Sequence, residues 1–299
     1  VKNKYWQGIL FASVNMVGLS TVGLVDKIGS IHTPSPFLYS AQSVFYSLFF
    51  TLLFSLLFFR KTFVHELKSI PPSSFTVIIL IGILSSGLFI VFRFLGLTQS
   101  TGTFATLSQV ITTALTAILA YFFLHEELSK RFWLLFLIIL VSTYFVSIGK
   151  FALTDIKMGD LFILCGSVLL AIGNVLSRLT VKSTSPVIVS VGRFLIGYLF
   201  LLIVGLIIFG HGADFFYFNY IAVLSGFLWS VMILSFNFAI KNIGVTITTT
   251  LLMIAPIITM VLEYTILHQS FTGIQILAAC LTVICGLLMI QKTRHILRY

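Results

Sequence analysis

The chain has 299 residues, of which 59% are hydrophobic and 9% charged, with 18 Lys and Arg against 8 Asp and Glu for a formal net charge of +10. That composition excludes a water-soluble domain, which would need a charged surface these residues cannot supply. It also excludes a nucleic-acid partner, because no basic domain projects from the apolar body to hold one.

Apolar runs of about twenty residues, the length of a bilayer-spanning helix, fall at 5–25, 36–59, 75–97, 102–124, 131–149, 159–180, 186–209, 217–240, 244–267 and 271–291. They predict an all-α polytopic membrane protein of ten transmembrane helices, numbered here as spans 1 to 10. Lys2 and Lys4 precede span 1 in the manner of a signal peptide, but the run is long and has no clear small-residue cleavage site, so it reads as a retained helix. Span 2 opens after TPSP at 33–36, and the stretch from Arg60 to Ser74 is the longest gap between spans. Spans 4 and 9 are rich in Thr, and span 9 contains Pro256, expected to bend it near the midplane. Cys165, Cys280 and Cys285 fall inside spans without metal-ligand spacing, and no cofactor is called for.

Lys and Arg are retained on the cytoplasmic side of a membrane. With the N-terminus inside, the cytoplasmic group is Lys2, Lys4, Arg60, Lys61, Lys68, Lys130, Arg131, Arg178, Lys182, Lys241, Lys292, Arg294 and Arg298, against Lys27, Lys150 and Lys157 outside. Both termini are therefore expected in the cytoplasm.

Sliding the chain by 143 residues lays 103–125 on 246–268 with eight of 23 positions identical, ending in His125 over His268. So biased a composition gives roughly two or three by chance. TPSP at 33–36 likewise matches STSP at 183–186. The chain reads as two five-helix repeats, 1–150 and 151–299. Five crossings are an odd number, so the second copy sits upside down relative to the first. Loop charges agree: HEELSKR at 125–131 ends in Lys130 and Arg131, whereas its twin HQSFTGIQ at 268–275 has neither Lys nor Arg.

These features resemble the drug/metabolite transporter superfamily, in particular its ten-helix EamA-type members. The residues that carry the likeness are LHEELS at 124–129, similar to the family's ending of helix 4, the weaker LHQSFT at 267–272, Pro256 in span 9, and Arg193 seven residues after Pro186. Thr113, Ser43 and Gln269 stand where the family pattern has a proline, an arginine and a glutamate. The resemblance implies a secondary transporter of small organic metabolites in a bacterial inner membrane, often exporting amino acids through a cavity between the halves. Inverted repeats offer two near-equal packings of one sequence, the requirement for alternating access. No P-loop is present to supply ATP drive. A membrane-embedded enzyme would need clustered acid/base or metal groups, yet the six histidines lie scattered at span ends and in loops. A scaffold or receptor with a transporter-like fold is the alternative.

Candidate site residues follow from the cost of polarity within a bilayer. Asn15, Gln109, Asn174 and Asn237 lie deep in spans 1, 4, 6 and 8, where they either line a cavity or bond neighbouring helices. Trp229 lies near the middle of span 8, while Trp6 and Trp133 sit at span ends as interfacial anchors. Arg193 is a further cavity candidate, with helix-end carbonyls as its structural alternative. Arg93 and Glu263 each lie four residues from the outer end of a span, about 6 Å deep. They are expected to pair as a gate-side bridge, or else Glu263 stands apart and carries a proton.

Overall fold

A computed structural model describes residues 2–67, 70–124, 130–148, 157–181, 183–209, 218–252 and 254–291. The LHEELS signature from His125 onward, the 210–217 part of the loop after span 7, and Lys68, Lys150, Lys182, Lys292, Arg294 and Arg298 lie outside the described residues.

The described chain is helical: α1 (Lys2–His32), α2 (Pro36–Phe58), the short α3 (Arg60–Leu67), α4 (Pro72–Ile81), a π-helical stretch (Gly82–Leu88), α5 (Phe89–Leu97), α6 (Gly102–Leu124), α7 (Lys130–Ile148), α8 (Met158–Thr180), α9 (Pro186–Phe209), α10 (Tyr220–Leu252), α11 (Ala255–Ile266) and α12 (Gly273–Gln291). Among the described residues seven helices are long and apolar enough to cross a membrane, counting Pro72–Leu97 as one, and Ala255–Ile266 and Gly273–Leu288 are shorter apolar helices.

Local chemistry accounts for most helix starts. Ser35 caps α2 by accepting from the Leu38 N–H at 3.4 Å, and Ser185 caps α9 by accepting from the Ile188 N–H at 3.4 Å. Each cap is followed by a proline in the first turn, where a missing N–H costs nothing and φ is preset. The TPSP and STSP repeats are thus twin caps.

Three expectations about the spans change. Span 1 does not end at residue 25 but continues to His32, carrying Asp26 and Lys27 within the helix. The break expected after residue 240 is absent, and α10 runs on to Leu252. Pro256 therefore does not bend a continuous helix: it lies in the first turn of α11 and starts a new one.

The main packing partners recur in pairs under exchange of the two halves. α1 lies along α10, and its counterpart α8 lies along α5. α2 packs on α10, and α9 packs on the π-helical stretch; α6 packs on α8, and α11 packs on α1. Three contacts are their own counterparts, namely α2 with α9, α6 with α11 and α7 with α12. Most helix packing therefore joins the first half to the second. Leu57, Phe58, Ile207 and Leu277 point outward, as a lipid-facing surface requires.

One close approach in this interface joins α9 to the π-helical stretch. A Cβ on Gly197 would stand 2.5 Å from the Ser86 Cβ and 2.9 Å from the Ser86 carbonyl carbon, whereas one on Gly273 would meet nothing. Gly197→Ala is expected to destabilise the protein by about 1–3 kcal/mol through overpacking. Gly273→Ala should match the unmodified protein, with thermal unfolding of the detergent-purified variants as the measurement.

Candidate functional site

Asp26, two turns from the end of α1, and Arg93 of α5 form a salt bridge, Nε to Oδ2 at 3.1 Å, in which both side chains are sealed from solvent. The cost of desolvating such a pair is best repaid when the remaining lone pairs and protons are also satisfied. The carboxylate meets that demand: Oδ1 accepts from the Ser225 hydroxyl at 2.7 Å, and Oδ2 also accepts from the Trp229 indole N–H at 3.3 Å. Both donors belong to α10, so one carboxylate of the first half gathers a face of the second. Ser225 is held in turn 2.7 Å from the Ser43 hydroxyl of α2.

The guanidinium is less completely served. Its Nη1 donates to the Ala105 carbonyl of α6 at 3.2 Å, and its carbon lies 5.6 Å from the Trp229 ring centroid, a cation–π contact. Its Nη2 is buried without a hydrogen-bond partner. The Tyr39 ring packs against Phe94 at 4.8 Å between centroids, and its hydroxyl lies against Gly29, one turn beyond Asp26.

The expected Arg93–Glu263 bridge is corrected by this geometry, because each residue has a different partner. Glu263 is fully buried and closes the start of α6: Oε1 accepts from the Gly102 N–H at 2.7 Å, and Oε2 from the Thr103 N–H at 2.8 Å and from the Thr103 hydroxyl. A carboxylate at a helix N-terminus satisfies orphan N–H groups and meets the positive end of the dipole. The LHQ motif holds Glu263 in place by ending α11. His268 adopts φ 51°, and the Gln269 N–H turns back to the Glu263 carbonyl at 3.2 Å, a left-handed stop with histidine where glycine is usual.

The same end of the bundle holds two further charges that sequence reasoning missed. Lys27 donates to the Leu97 carbonyl at 2.7 Å and to the Ser100 carbonyl, placing a cation at the C-terminal end of α5. Asp160, in the first turn of α8, accepts from the Ser100 hydroxyl. Near the ends of α5 and α6, three charged side chains from α1, α8 and α11 thus occupy positions that match the local dipoles.

The remaining candidates divide between bonds and open positions. Asn15 is buried and donates to the Met232 carbonyl of α10 at 2.5 Å, and Asn237 donates to the Ser190 hydroxyl of α9 at 2.7 Å, so both tie helices together. Arg193 is buried and donates to the Ser86 hydroxyl and the Ser85 carbonyl, both at 3.0 Å, against the π-helical stretch. Its twin position Ser43 makes the equivalent contact with α10. Gln109 and Asn174 are half-buried, and the Gln109 amide nitrogen is buried without a partner. Only Trp229 among the candidates touches the Asp26–Arg93 cluster. Among the described residues no group of three or more His, Cys, Asp or Glu is placed to hold a metal ion.

The EamA-like transporter family model matches residues 6–148 and again 157–291. The chain belongs to that family, a class of membrane transporters for small solutes, and its apolar helices are those of an integral membrane protein. No curated protein matches the sequence. A solved structure described only as "Crystal structure of protein" superposes with a TM-score of 0.67 at 17% identity, covering 98% of this chain and 99% of that one, a likeness of fold alone.

Removing one member of a buried ion pair leaves the other charge uncompensated, at a cost of about 3–5 kcal/mol. Asp26→Ala is expected to lose that much stability in detergent unfolding, and Asp26→Leu combined with Arg93→Met to recover most of it. The exchange Arg93→Glu with Glu263→Arg should remain as damaged as its worse single variant, since the two residues do not meet.

Proposed function

We propose that the chain is a secondary-active transporter that exports small organic metabolites, amino acids or related compounds among them, by alternating access. The observation that carries this reading is the pairing of helix contacts under exchange of the halves. A structure whose interface repeats in this way has a second packing of similar energy, reached when the contacts of one half are traded for their counterparts in the other. The moving units are the inverted repeats 1–150 and 151–299, with ten spans in total and both termini in the cytoplasm of a bacterial inner membrane.

The bonds that cross between the halves support the same reading. Asp26 to Ser225 and Trp229, Asn15 to Met232, Thr51 to Ser230 at 3.0 Å, and Glu263 to Gly102 and Thr103 all join one repeat to the other. Hydrogen bonds between membrane helices average well under 2 kcal/mol each, so they can be exchanged in a cycle. Gln109, Asn174 and Trp229 are the wall of the cavity in this reading, and Asn15, Asn237 and Arg193 hold that wall in position. Glu263 on the start of α6 is the outer closure.

Purified protein in vesicles, tested for efflux and uptake with a panel of amino acids and related metabolites, should move at least one of them above protein-free vesicles. Movement of none, with the protein folded, would favour a scaffold or receptor. The inverted arrangement is tested separately: single cysteines at Lys130 and Gln269, in a chain lacking Cys165, Cys280 and Cys285, should react with an impermeant thiol reagent from opposite sides. Reaction from the same side would end the inverted-repeat reading.

A further inference from the structure

Arg93 and Arg193 are both buried among the helices, yet among the described residues only Arg93 meets an acid. Arg193 donates from Nε to the Ser86 hydroxyl and from Nη2 to the Ser85 carbonyl, both at 3.0 Å and both neutral. The described carboxylates are engaged elsewhere: Asp26 by Arg93, Glu263 by the start of α6, Asp160 by Ser100, and Glu66 by the Ser185 N–H at 3.2 Å. Buried charges are ordinarily paired, and one left unpaired is costly. The two bonds do not account for the charge, because a neutral side chain can also donate to a hydroxyl and a carbonyl. At the twin position Ser43 makes its helix contact through a hydroxyl alone. Nor is the guanidinium closed off. Its Nη1 has no partner among the described residues and, unlike the Arg93 Nη2, is not sealed; Arg193 keeps 5% of its surface where Arg93 keeps none. The Phe194 ring, 5.7 Å from the guanidinium carbon, offsets the charge only in part. A fixed, uncompensated guanidinium with an open nitrogen is a receptor for an anion.

We infer that Arg193 binds the transported solute through its negative charge, and that this solute is a monoanionic organic acid, a specification that rests on the transporter reading above. Ser85 and Ser86 position the guanidinium and leave Nη1 as the donor offered to the solute. One cation calls for one negative charge: the acid and Arg193 are neutral together in an apolar setting, where any residual charge is costly. A zwitterionic amino acid brings an ammonium group as well, and the described carboxylates are already engaged. A phosphate monoester brings about two negative charges and leaves one over. Arg193 lies seven residues into α9, about 10 Å from its start. In the orientation proposed above that start faces the cytoplasm, so an exported solute meets Arg193 before the Glu263 closure.

The full chain in lipid nanodiscs is titrated calorimetrically with short-chain 2-oxo and 2-hydroxy acids, their amides, the amino acids with the same neutral side chains, and matching phosphate monoesters. At least one organic acid should bind, and its amide and its amino acid should bind about tenfold or more weakly, the loss expected for one charge-assisted bond. Arg193→Gln should weaken that acid by about tenfold or more and leave the amide unchanged. Its melting temperature without ligand should equal or exceed that of the unmodified chain, because an uncompensated charge is removed, whereas loss of a merely structural arginine would lower it. Arg193→Lys keeps the charge without the planar fork, and should keep the preference for acid over amide at reduced affinity. Equal binding of an acid and its amide or amino acid, full acid affinity in Arg193→Gln, or tighter binding of a phosphate monoester overturns the assignment. The comparison of acid with amide uses the unmodified chain and decides the matter even where a variant fails to fold. If the vesicles carry zwitterionic or cationic solutes while no organic acid binds, the assignment falls and transport stands; if nothing binds and nothing is carried, both fall.

Discussion

Asp26 and Arg93 meet where neither lipid nor water can satisfy them, and the placement of the surrounding helices follows from that constraint. Desolvating such a pair costs several kcal/mol per ion, recovered only when geometry and further hydrogen bonds are good. The required donors come from Ser225 and Trp229 on α10, and the required acceptor from Ala105 on α6. One carboxylate and one guanidinium therefore bring α1, α5, α6 and α10 to a common point, and the Ser43–Ser225 contact adds α2. The bridge ties two first-half helices together, but the donors to Asp26 come from the second half. A motion of one half against the other must replace those donors.

The Glu263 end works by a different principle. Here charges are matched not to other side chains but to helix ends, Glu263 to the start of α6 and Lys27 to the last carbonyls of α5. Helix ends offer several backbone groups in one place, and once such a contact opens those groups can turn to local partners or water while the freed carboxylate or ammonium meets water. That makes this end suited to opening, while the Asp26–Arg93 bridge is suited to staying shut. Glu263 is as fully buried as the bridge, whereas Lys27 at the same end keeps part of its surface exposed.

Much of the fold was legible in the sequence because membrane helices announce themselves by length and apolarity, and the twin TPSP and STSP segments announce their caps. The family resemblance, with its two repeats, and most of the long apolar helices were readable on that basis. The site was read less well, for three physical reasons. Asp26–Lys27 looks like the end of a helix, although Ile28, Gly29, Ser30 and Ile31 continue it directly to the next cap at Ser35; following that continuity would have placed Asp26 inside the span. Glu263 was matched to the arginine of equal depth, but a carboxylate can be satisfied by backbone N–H groups 160 residues away, which no side-chain pattern reveals. Asn15 and Asn237 are polar and deep like Gln109, and only the structure separates the two that bond neighbouring helices from the one whose amide nitrogen has no partner.

The central claim is that the two halves must separate where Glu263 closes on α6 for a solute to cross. It is tested most directly by tying that contact shut. In a chain lacking its native cysteines, Thr103→Cys and Glu263→Cys would be joined by a short bifunctional thiol-reactive bridge, and vesicle transport compared before bridging, after bridging and after cleavage of the bridge by reductant. The account predicts that transport is lost on bridging and regained on cleavage, with solute binding retained throughout. Transport by the bridged protein at the rate of the same variant unbridged would contradict it.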